Sequence, residues 1–329
     1  MSAAGAPPLA ALTSRAYRPD DAVALADLFN RGAEADGAPW RASPAEIANW
    51  MSRSNENYDP ARDALVVELE GRMIGFRDVE WVDTNDGLRE YRLGGNVHPE
   101  WRRRGIGTWL LRGSEAYARR RAAELPSDKP HVLGTWQPNT AAGALALMEH
   151  EGYRPVRYFF DMVRPTLSDV LERPLPEGLE LRPVASDQLR QLWDADVEAF
   201  RDHWGGFDAS EERFRGWRED PKFDPSLFVV AWDGEEIAGG VINQINSTEN
   251  EAFGRKRGWL QSVFVRRPWR RRGLARAVVA RSLVVLRDRG MTSAGLGVDA
   301  ENPTGALRLY EEAGFEVEHR STAYRKPME

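Results

Sequence analysis

Two arginine-rich runs are the first feature of the sequence that suggests a chemistry. Arg270-Arg271-Arg272-Gly273-Leu274-Ala275 and Arg102-Arg103-Arg104-Gly105-Ile106-Gly107 each follow a β-rich stretch and precede an apolar pattern with helical spacing. Glycine and alanine let a backbone come close to an anion, and the amides at a helix N-terminus present positive potential to it. Each run therefore predicts a phosphate-binding loop, although either run alone could also be a charged surface turn.

The two runs belong to an internal repeat, in which four blocks recur in the same order at offsets of 162 to 168 residues. The blocks are an entry motif at Pro19 and Pro183, hairpin turns at Gly71 and Gly234, the two loops, and glycine-flanked helices at 143–153 and 305–315. Such a repeat indicates two domains of one fold. We predict a flexible tail over 1–11, domains over 12–163 and 179–329, and a proline-rich linker over 164–178 with one short helix at 167–172.

The order of the elements predicts a mixed α/β sheet with helices packed on it. Apolar residues at helical spacing predict a helix after the second loop that stops near Gly290, followed by a strand over 294–298; they are Leu274, Val278, Val279, Leu283 and Leu286. A doubly wound nucleotide-binding fold does not fit, because the third glycine of a dinucleotide motif and the Gly-Lys-Ser/Thr of a P-loop are missing.

A second block, from Val298 through Asn302 to Tyr310 and on to Gly314-Phe315, follows that strand. Together with the arginine-glycine loop, this block resembles the acetyl-CoA signature of the GNAT superfamily of N-acetyltransferases, although the spacing from Asn302 to Tyr310 is one residue longer than usual. The resemblance covers nearly the whole chain, twice. It implies two tandem GNAT acyl-CoA N-acyltransferase domains that use acetyl-CoA.

The resemblance also implies roles for individual residues. In the second domain the acetyl-CoA contacts are expected at Val263, Val265, Arg270, Arg271, Arg272, Gly273, Leu274, Ala275 and Asn302, with the strand 260–265 along the pantetheine arm. In the first domain they are expected at Val97, Arg102, Arg103, Arg104, Gly105, Ile106 and Gly107. Tyr310 is expected to act as the general acid that protonates the departing CoA thiolate, which suits a phenol with a reference pKa of about 10. Its competing interpretation is a place on the apolar face of a helix.

The first domain departs from this pattern, because Met148 stands where the second domain has Tyr310. A thioether has no proton to donate. We therefore predict that the first domain is non-catalytic and gives structural support or binds acetyl-CoA without turnover.

The sequence leaves the general base open. Many members of the superfamily place a glutamate six residues before the valine that matches Val265, and this chain has Trp259 there. The candidate bases are Glu249, Glu251, His203 and Asp202. Aromatic residues after the first helix of the second domain are expected to contact the acceptor or to lie in the core, namely Trp204, Phe207, Phe214 and Trp217.

Composition excludes several other classes of function. A net charge of −6 argues against nucleic-acid binding, and no apolar run approaches the roughly 18 residues of a membrane span. The chain has no cysteine, its five histidines lack metal-ligand spacing, and its N-terminus does not resemble a secretory signal. We expect a cytoplasmic protein without a metal site, and its oligomeric state stays open.

The predicted function is transfer of an acetyl group from acetyl-CoA to a primary amine of a small molecule by direct attack. His319-Arg320-Ser321 with Tyr324 is similar to the tail of tandem relatives that acetylate an amino group on a cysteinyl sugar. The acceptor class would include aminosugars, antibiotics and polyamines. The alternative is a non-catalytic acyl-CoA-binding regulatory protein, which would not need Tyr310.

Overall fold

The computed structural model describes residues 11–302 and 305–328, except for the side chain of Asp202. The chain forms two compact units. The N-terminal unit contains the chain up to Val156 together with Gly206–Pro221 and the chain from Thr322 onward. The C-terminal unit contains Arg157–Gly205 and Lys222–Ser321.

The first repeat contains eleven of the regular elements, in the predicted order. They are β1 (Thr13–Ala16), α1 (Ala22–Ala35), α2 (Pro44–Trp50), α3 (Pro60–Asp63), β2 (Ala64–Leu69), β3 (Arg72–Asp83), β4 (Arg89–Val97), α4 (Ile106–Glu124), β5 (His131–Pro138), α5 (Ala142–His150) and β6 (Arg154–Arg164).

The second repeat follows the same plan and also contains five α-helices among its described residues, with one of the short helices between its third and fourth strands. Its elements are β7 (Glu180–Leu181), α6 (Leu189–Ala199), α7 (Glu211–Arg218), β8 (Val229–Asp233), β9 (Glu236–Ile245), α8 (Ser247–Ala252), β10 (Arg257–Val265), α9 (Leu274–Asp288), β11 (Ser293–Asp299), α10 (Ala306–Glu312) and β12 (Glu316–Pro327). The mixed α/β fold, the helix α9 and the strand β11 are confirmed.

In the N-terminal unit the strands lie in the order β1-β2-β3-β4-β5, and β12 follows β5. The contacts from β1 to β4 are antiparallel and the β4–β5 contact is parallel. One buried cluster joins α1 and α2 to the sheet through Leu25, Ile47 and Phe76. Another joins α4 and α5 to it through residues such as Leu93 and Leu133.

In the C-terminal unit the order is β6-β11-β10-β9-β8-β7. The β10–β11 pair is parallel, and the β6–β11, β9–β10, β8–β9 and β7–β8 pairs are antiparallel. The core of this unit packs α9 and α10 against the sheet, with Val278, Leu286 and Leu296 among its enclosed side chains. These side chains include the apolar positions from which α9 was predicted, so burial of that stripe explains the helix.

The compact units do not follow the predicted domain ranges. The end of β6 pairs with β11 through 159–164 and belongs to the C-terminal unit. The predicted linker packs on the same unit, where Leu167 is buried and its amide donates to the Thr292 carbonyl at 3.1 Å. The helix predicted at 167–172 is wrong, because these residues form a turn and irregular backbone instead.

Two segments of the second repeat belong to the N-terminal unit. Segment 206–221 carries α7 with Phe214, and its Gly206 carbonyl accepts a hydrogen bond from Arg92 at 3.0 Å. At the C-terminus, Arg325 donates to Glu90 at 2.7 Å and to Asp86 at 2.6 Å. Phe207, Phe214 and Trp217 therefore belong to the unit that does not contain Tyr310.

Candidate active site

The loop between β10 and α9 contains two residues in the left-handed region. Arg271 has φ of 61° and Gly273, the N-cap of α9, has φ of 89°. Positive φ is uncommon for an arginine, and it is inexpensive for glycine. A Cβ added to Gly273 would meet nothing within 4 Å. Glycine is therefore required here for its conformation rather than for space.

This turn collects backbone amides that are not used inside the protein. Among the described residues, the amides of Arg271, Arg272 and Gly273 donate no backbone hydrogen bond. The first amides of the 15-residue helix α9 follow directly. Amides grouped in this way at a helix N-terminus form an anion-binding concavity, which fits the pyrophosphate of acetyl-CoA.

The arginine side chains of the loop have different tasks. Arg270 points into the unit, where Nε donates to the Val265 carbonyl at 3.0 Å and Nη2 donates to the Ala199 carbonyl at 3.1 Å. It fixes the loop to the end of β10 and to the C-terminus of α6. Arg272 donates to the Glu177 carbonyl at 3.1 Å, and Leu274 is buried in the core.

The strand before the loop is irregular. Its pairing with β9 shifts between Leu260 and Ser262, so that Gln261 is an extra residue and forms a β-bulge. Its parallel pairing with β11 covers only Arg257–Trp259 opposite Ser293–Gly295. Beyond Gly295, β11 continues to pair with β6 as far as Asp299.

As a result, the backbone of β10 from Leu260 to Val265 is not paired with β11 in the described part of the chain. This leaves an open edge directly before the anion-binding loop. Val263 and Val265 lie on this stretch and pack partly against the core. Such an edge can accept an extended chain with amide groups, which suits the pantetheine arm expected there.

Tyr310 lies on α10, the helix after β11, and is buried with 6% exposure. Its ring packs edge-on to Phe315 with 6.0 Å between centroids. No hydrogen bond from a described residue engages its hydroxyl. Burial raises the pKa of Tyr310 to about 12, so the hydroxyl keeps its proton at neutral pH. The ring therefore belongs to the core, and the role of the hydroxyl as general acid stays a prediction.

Asn302 lies at the end of the turn after β11, where its amide donates to the Asp299 carbonyl at 3.1 Å. The next two residues, 303 and 304, lie outside the described ranges. The role predicted for Asn302 in holding the cofactor stays a prediction.

The three base candidates whose side chains are described differ in surroundings. Glu249 is buried and paired with Arg255 at 3.0 Å, and it accepts a hydrogen bond from the indole of Trp259 at 3.1 Å. Glu251 is exposed on α8. His203 lies 4.2 Å from Phe200 between ring centroids. The side chain of the fourth candidate, Asp202, lies outside the described part.

A fourth carboxylate was missed by the sequence reasoning. Asp196 on α6 accepts a hydrogen bond from Ser262 Oγ at 2.6 Å, directly after the bulge in β10. Burial raises the pKa of Asp196 to about 6, against the opposing effect of that hydrogen bond. The sequence does contain an indication of Asp196. It is a charged residue on the apolar face of α6, four residues after the buried Leu192 and three after the buried Trp193.

The first loop has nearly the same backbone. Arg103 has φ of 63° and Gly105 has φ of 82°. The amides of Arg103, Arg104 and Gly105 donate no backbone hydrogen bond within the described residues. Arg102 also points inward, donating to the Val97 carbonyl at 3.1 Å and to Asp36 at 2.6 Å. The helix α4 starts at Ile106 and places Gly107 in its first turn.

The strand and the helix around the first loop are different. The pairing of β4 with β3 runs without a shift from Gly75–Val97 to Asp83–Arg89, so β4 has no bulge. Met148 on α5 is buried in the core with 4% exposure. Asp78 lies against Gly94, where a Cβ would come within 2.0 Å of its carboxylate.

Comparison with known proteins identifies the family. Residues 189–315 match the Acetyltransferase (GNAT) family model and residues 60–155 match the Acetyltransferase (GNAT) domain model. The mycothiol acetyltransferase of Geodermatophilus obscurus is 31% identical over 77% of this chain and 79% of its own length. That of Salinispora arenicola is 30% identical over 90% of each chain.

Solved structures agree with this result. A GCN5-related N-acetyltransferase from Sphaerobacter thermophilus has 31% identity and a TM-score of 0.70 over 96% of both chains. A tandem GNAT protein from the clavulanic acid biosynthesis pathway shares the fold, with a TM-score of 0.70 at 16% identity over 97% of this chain and 99% of its own. The chain belongs to the GNAT acetyltransferase family and is an acetyl-CoA-dependent N-acetyltransferase with two GNAT domains.

Two findings concern other kinds of site. None of the described helices combines the length and the apolar character that crossing a membrane requires. Over the same residues, no group of histidine and carboxylate side chains is arranged to hold a metal ion.

Proposed function

We propose that the C-terminal unit transfers the acetyl group to a primary amine of a small molecule, with Tyr310 as the general acid. One observation carries the proposal. The Tyr310 side chain is buried, and its hydroxyl makes no hydrogen bond among the described residues. Tyr310 lies on α10, the helix that follows β11, and β11 pairs with β10 only as far as Gly295. A buried phenol with no structural partner suits a group that protonates a leaving atom.

The residues of this unit divide the remaining work. The amides of 271–275 would hold the pyrophosphate, and the unpaired edge of β10 would hold the pantetheine arm. Acetyl-CoA supplies a reactive thioester. Tyr310 would donate its proton as negative charge arrives on sulfur, which lowers the barrier to expelling the thiolate.

For the acceptor we propose only a class. The relatives named mycothiol acetyltransferase are similar over most of this chain, which supports a small-molecule acceptor. We propose further that the N-terminal unit does not catalyse the reaction. Met148 cannot donate a proton, β4 has no bulge, and Asp78 occupies the space beside Gly94.

The proposal can be tested with a panel of primary amines, including aminosugars, aminoglycosides and polyamines. CoA release is followed with a thiol reagent, which has no background from the protein because the chain contains no cysteine. We expect release that depends on one class of amine, with the acetylated amine identified by mass spectrometry. Tight acetyl-CoA binding without release for any amine would instead support the binding-only alternative.

A further inference from the structure

We propose that Asp196, held by Ser262, accepts the proton that the acceptor ammonium loses in the C-terminal unit. The inference rests on the proposed function, because it assigns the base for the same reaction. It is carried by the position of the carboxylate beside the bulge and by the finding that no cation of the described residues pairs with it.

The bulge determines where Ser262 points. Leu260 packs in the core with residues of α9, so strict alternation would also turn Ser262 toward α9. The extra residue Gln261 shifts the alternation by one. Ser262 therefore faces α6 and donates to Asp196 Oδ1 at 2.6 Å. The irregularity of the strand places the carboxylate beside the unpaired edge of β10.

Asp196 is better suited to accept a proton than Glu249. Glu249 is fixed by Arg255 at 3.0 Å and by the indole of Trp259 at 3.1 Å, and both contacts stabilise its anionic form. The only described partner of Asp196 is Ser262, and its second oxygen receives no hydrogen bond from a described residue. With a pKa of about 6, Asp196 is mostly deprotonated at pH 7, and it accepts a proton more readily than an aspartate of ordinary pKa.

The charged groups around α6 are engaged elsewhere. Arg266 pairs with Glu198 at 2.9 Å and with Glu236 at 3.3 Å. On α6 itself, Asp194 pairs with Arg190 at 3.0 Å, on the exposed side. Other described charged or titratable residues lie on the segments packed against α6. Arg270 donates to backbone carbonyls and Arg257 pairs with Glu318. Arg201 is exposed, His203 lies beside Phe200, and Asp187 precedes the helix.

The proton balance of the reaction requires such a group. An ammonium nitrogen loses two protons when it becomes an amide. Asp196 takes the first, which frees the nitrogen lone pair to attack the thioester carbonyl carbon as the carbon–sulfur bond breaks. Tyr310 protonates the departing sulfur, and the second nitrogen proton restores Tyr310. Asp196 then releases its proton to solvent, so each turnover yields one amide, one thiol and one proton.

The first test measures the carboxyl group directly, without turnover. Because burial also raises the pKa of Asp78 to about 6, the spectra are recorded on full-length protein that carries Asp78→Asn in every variant. Infrared difference spectra should then contain a protonated-carboxyl band from Asp196 that disappears as the pH rises through about 6. The band should be missing in Asp196→Asn and retained in the control Asp194→Asn, whose carboxylate is exposed on the same helix. In Ser262→Ala the midpoint of the band's loss should move to higher pH, because the hydrogen bond from Ser262 stabilises the anionic form of Asp196 in the wild type.

The second test measures CoA release at pH 7 with the best amine of the panel. Asp196→Asn should lower kcat/KM by roughly 10²- to 10⁴-fold with unchanged acetyl-CoA affinity, while Asp194→Asn stays near wild type. Ser262→Ala should move the acidic limb of the pH profile upward together with the infrared midpoint, and it serves as the readout if Asp196→Asn does not fold.

An active Asp196→Asn variant with an unchanged pH profile would overturn the role of Asp196 and leave the proposed function intact. A pH profile of Ser262→Ala that matches wild type would also overturn it. A wild-type protein that binds acetyl-CoA and acetylates no amine would overturn the proposed function, and the role of Asp196 with it.

Discussion

The two arginine-glycine loops share a backbone and differ in what precedes and follows them. The left-handed pair is Arg103 with Gly105 in one loop and Arg271 with Gly273 in the other. The strand before the first loop pairs regularly, whereas the strand before the second is bulged at Gln261. An anion-binding turn needs little more than its dihedral angles and its amides. In the mechanism proposed above, chemistry also needs the irregular strand and the Tyr310 hydroxyl, which the first copy replaces with a regular strand and Met148.

A second comparison concerns two buried carboxyl groups. Gly94 and Ser262 each stand three residues before the valine that ends the strand. In the N-terminal unit, Asp78 covers Gly94 and accepts a hydrogen bond from Tyr58 at 3.2 Å. In the C-terminal unit, Asp196 comes from the helix and is bound by Ser262. In the N-terminal unit the carboxylate therefore fills the space beside the strand, whereas in the C-terminal unit the carboxylate lies next to the unpaired edge of β10.

The largest difference between the copies should follow from matched loop variants. Gly273→Val places a β-branched residue at φ of 89° and should abolish acetyl-CoA binding in the C-terminal unit, and activity with it. Gly105→Val strains the first loop equally and should leave kcat within a few-fold. Calorimetry and CoA release on both variants measure this. Loss of activity in a folded Gly105→Val protein would contradict the assignment of roles.

Tyr310→Phe should lower kcat by about 10² to 10⁴ and leave the acetyl-CoA Kd unchanged, because the hydroxyl acts only when sulfur carries charge. The ring and its packing are kept. The control is Tyr153→Phe in the first copy, which stands at the position of Phe315 and whose hydroxyl binds Glu115 at 3.0 Å. An undiminished kcat under conditions where chemistry limits the rate would return Tyr310 to a purely structural role.

Arg325→Met should destabilise the N-terminal unit by about 3 kcal/mol, because it removes the buried cation that joins Glu90 to Asp86. Glu90 is 1% exposed, although Arg92 remains close to it at 3.0 Å. Urea unfolding of the full chain checks this. Arg308→Met, on an exposed surface pair with Glu312, is the control and should change stability little.

Asp78→Asn should stabilise the same unit at pH 7 and not at pH 4. Burial raises the pKa of Asp78 to about 6, so the folded state favours the protonated form. Its contribution to stability is present at low pH and is lost as the pH rises through about 6. We expect the free energy of unfolding to rise by about 2 kcal/mol at pH 7. Denaturant unfolding of the variant and the wild type at pH 4 and at pH 7 measures the difference. An equal gain at both pH values would show that charge is not the cause.

The smallest effect is expected from Met148→Tyr, which supplies the first copy with the missing hydroxyl. The strand β4 still pairs regularly with β3, and Asp78 still fills the space beside Gly94. Total kcat should therefore stay within about two-fold of wild type. The sensitive measurement is CoA release in a Gly273→Val background. Appreciable release there would mean that the acid alone separates the two copies.

The sequence predicted the features that are written in contiguous residues. Both loops, the helix α9 and the position of Tyr310 follow from local patterns of glycine, arginine and apolar spacing. The hydrogen bond between Asp196 and Ser262 joins residues 66 apart, and the bulge at Gln261 depends on pairing with β9, so no local pattern encodes either of them. A polar residue within an apolar stripe was the only available indication.

The predicted linker failed for a similar reason. The run at 167–172 has the composition of a short helix, but a six-residue helix forms few internal hydrogen bonds. Leu167 is buried in the core and its backbone amide donates to the Thr292 carbonyl, and these tertiary contacts favour a turn and irregular backbone instead. The assignment of 206–221 and of the last residues to the N-terminal unit likewise depends on tertiary contacts, including those of Arg92 and Arg325.

The way in which the chain alternates between its two units has a consequence for its biosynthesis. The polypeptide passes from one unit to the other after Val156, Gly205, Pro221 and Ser321. A ribosome that has finished the first repeat has therefore not yet made everything that the N-terminal unit contains. Arg325 and Lys326, which bind Glu90 and Glu115 in that unit, are translated only after nearly all of the second repeat. The unit whose synthesis begins first therefore cannot complete its native contacts until the second repeat has been made.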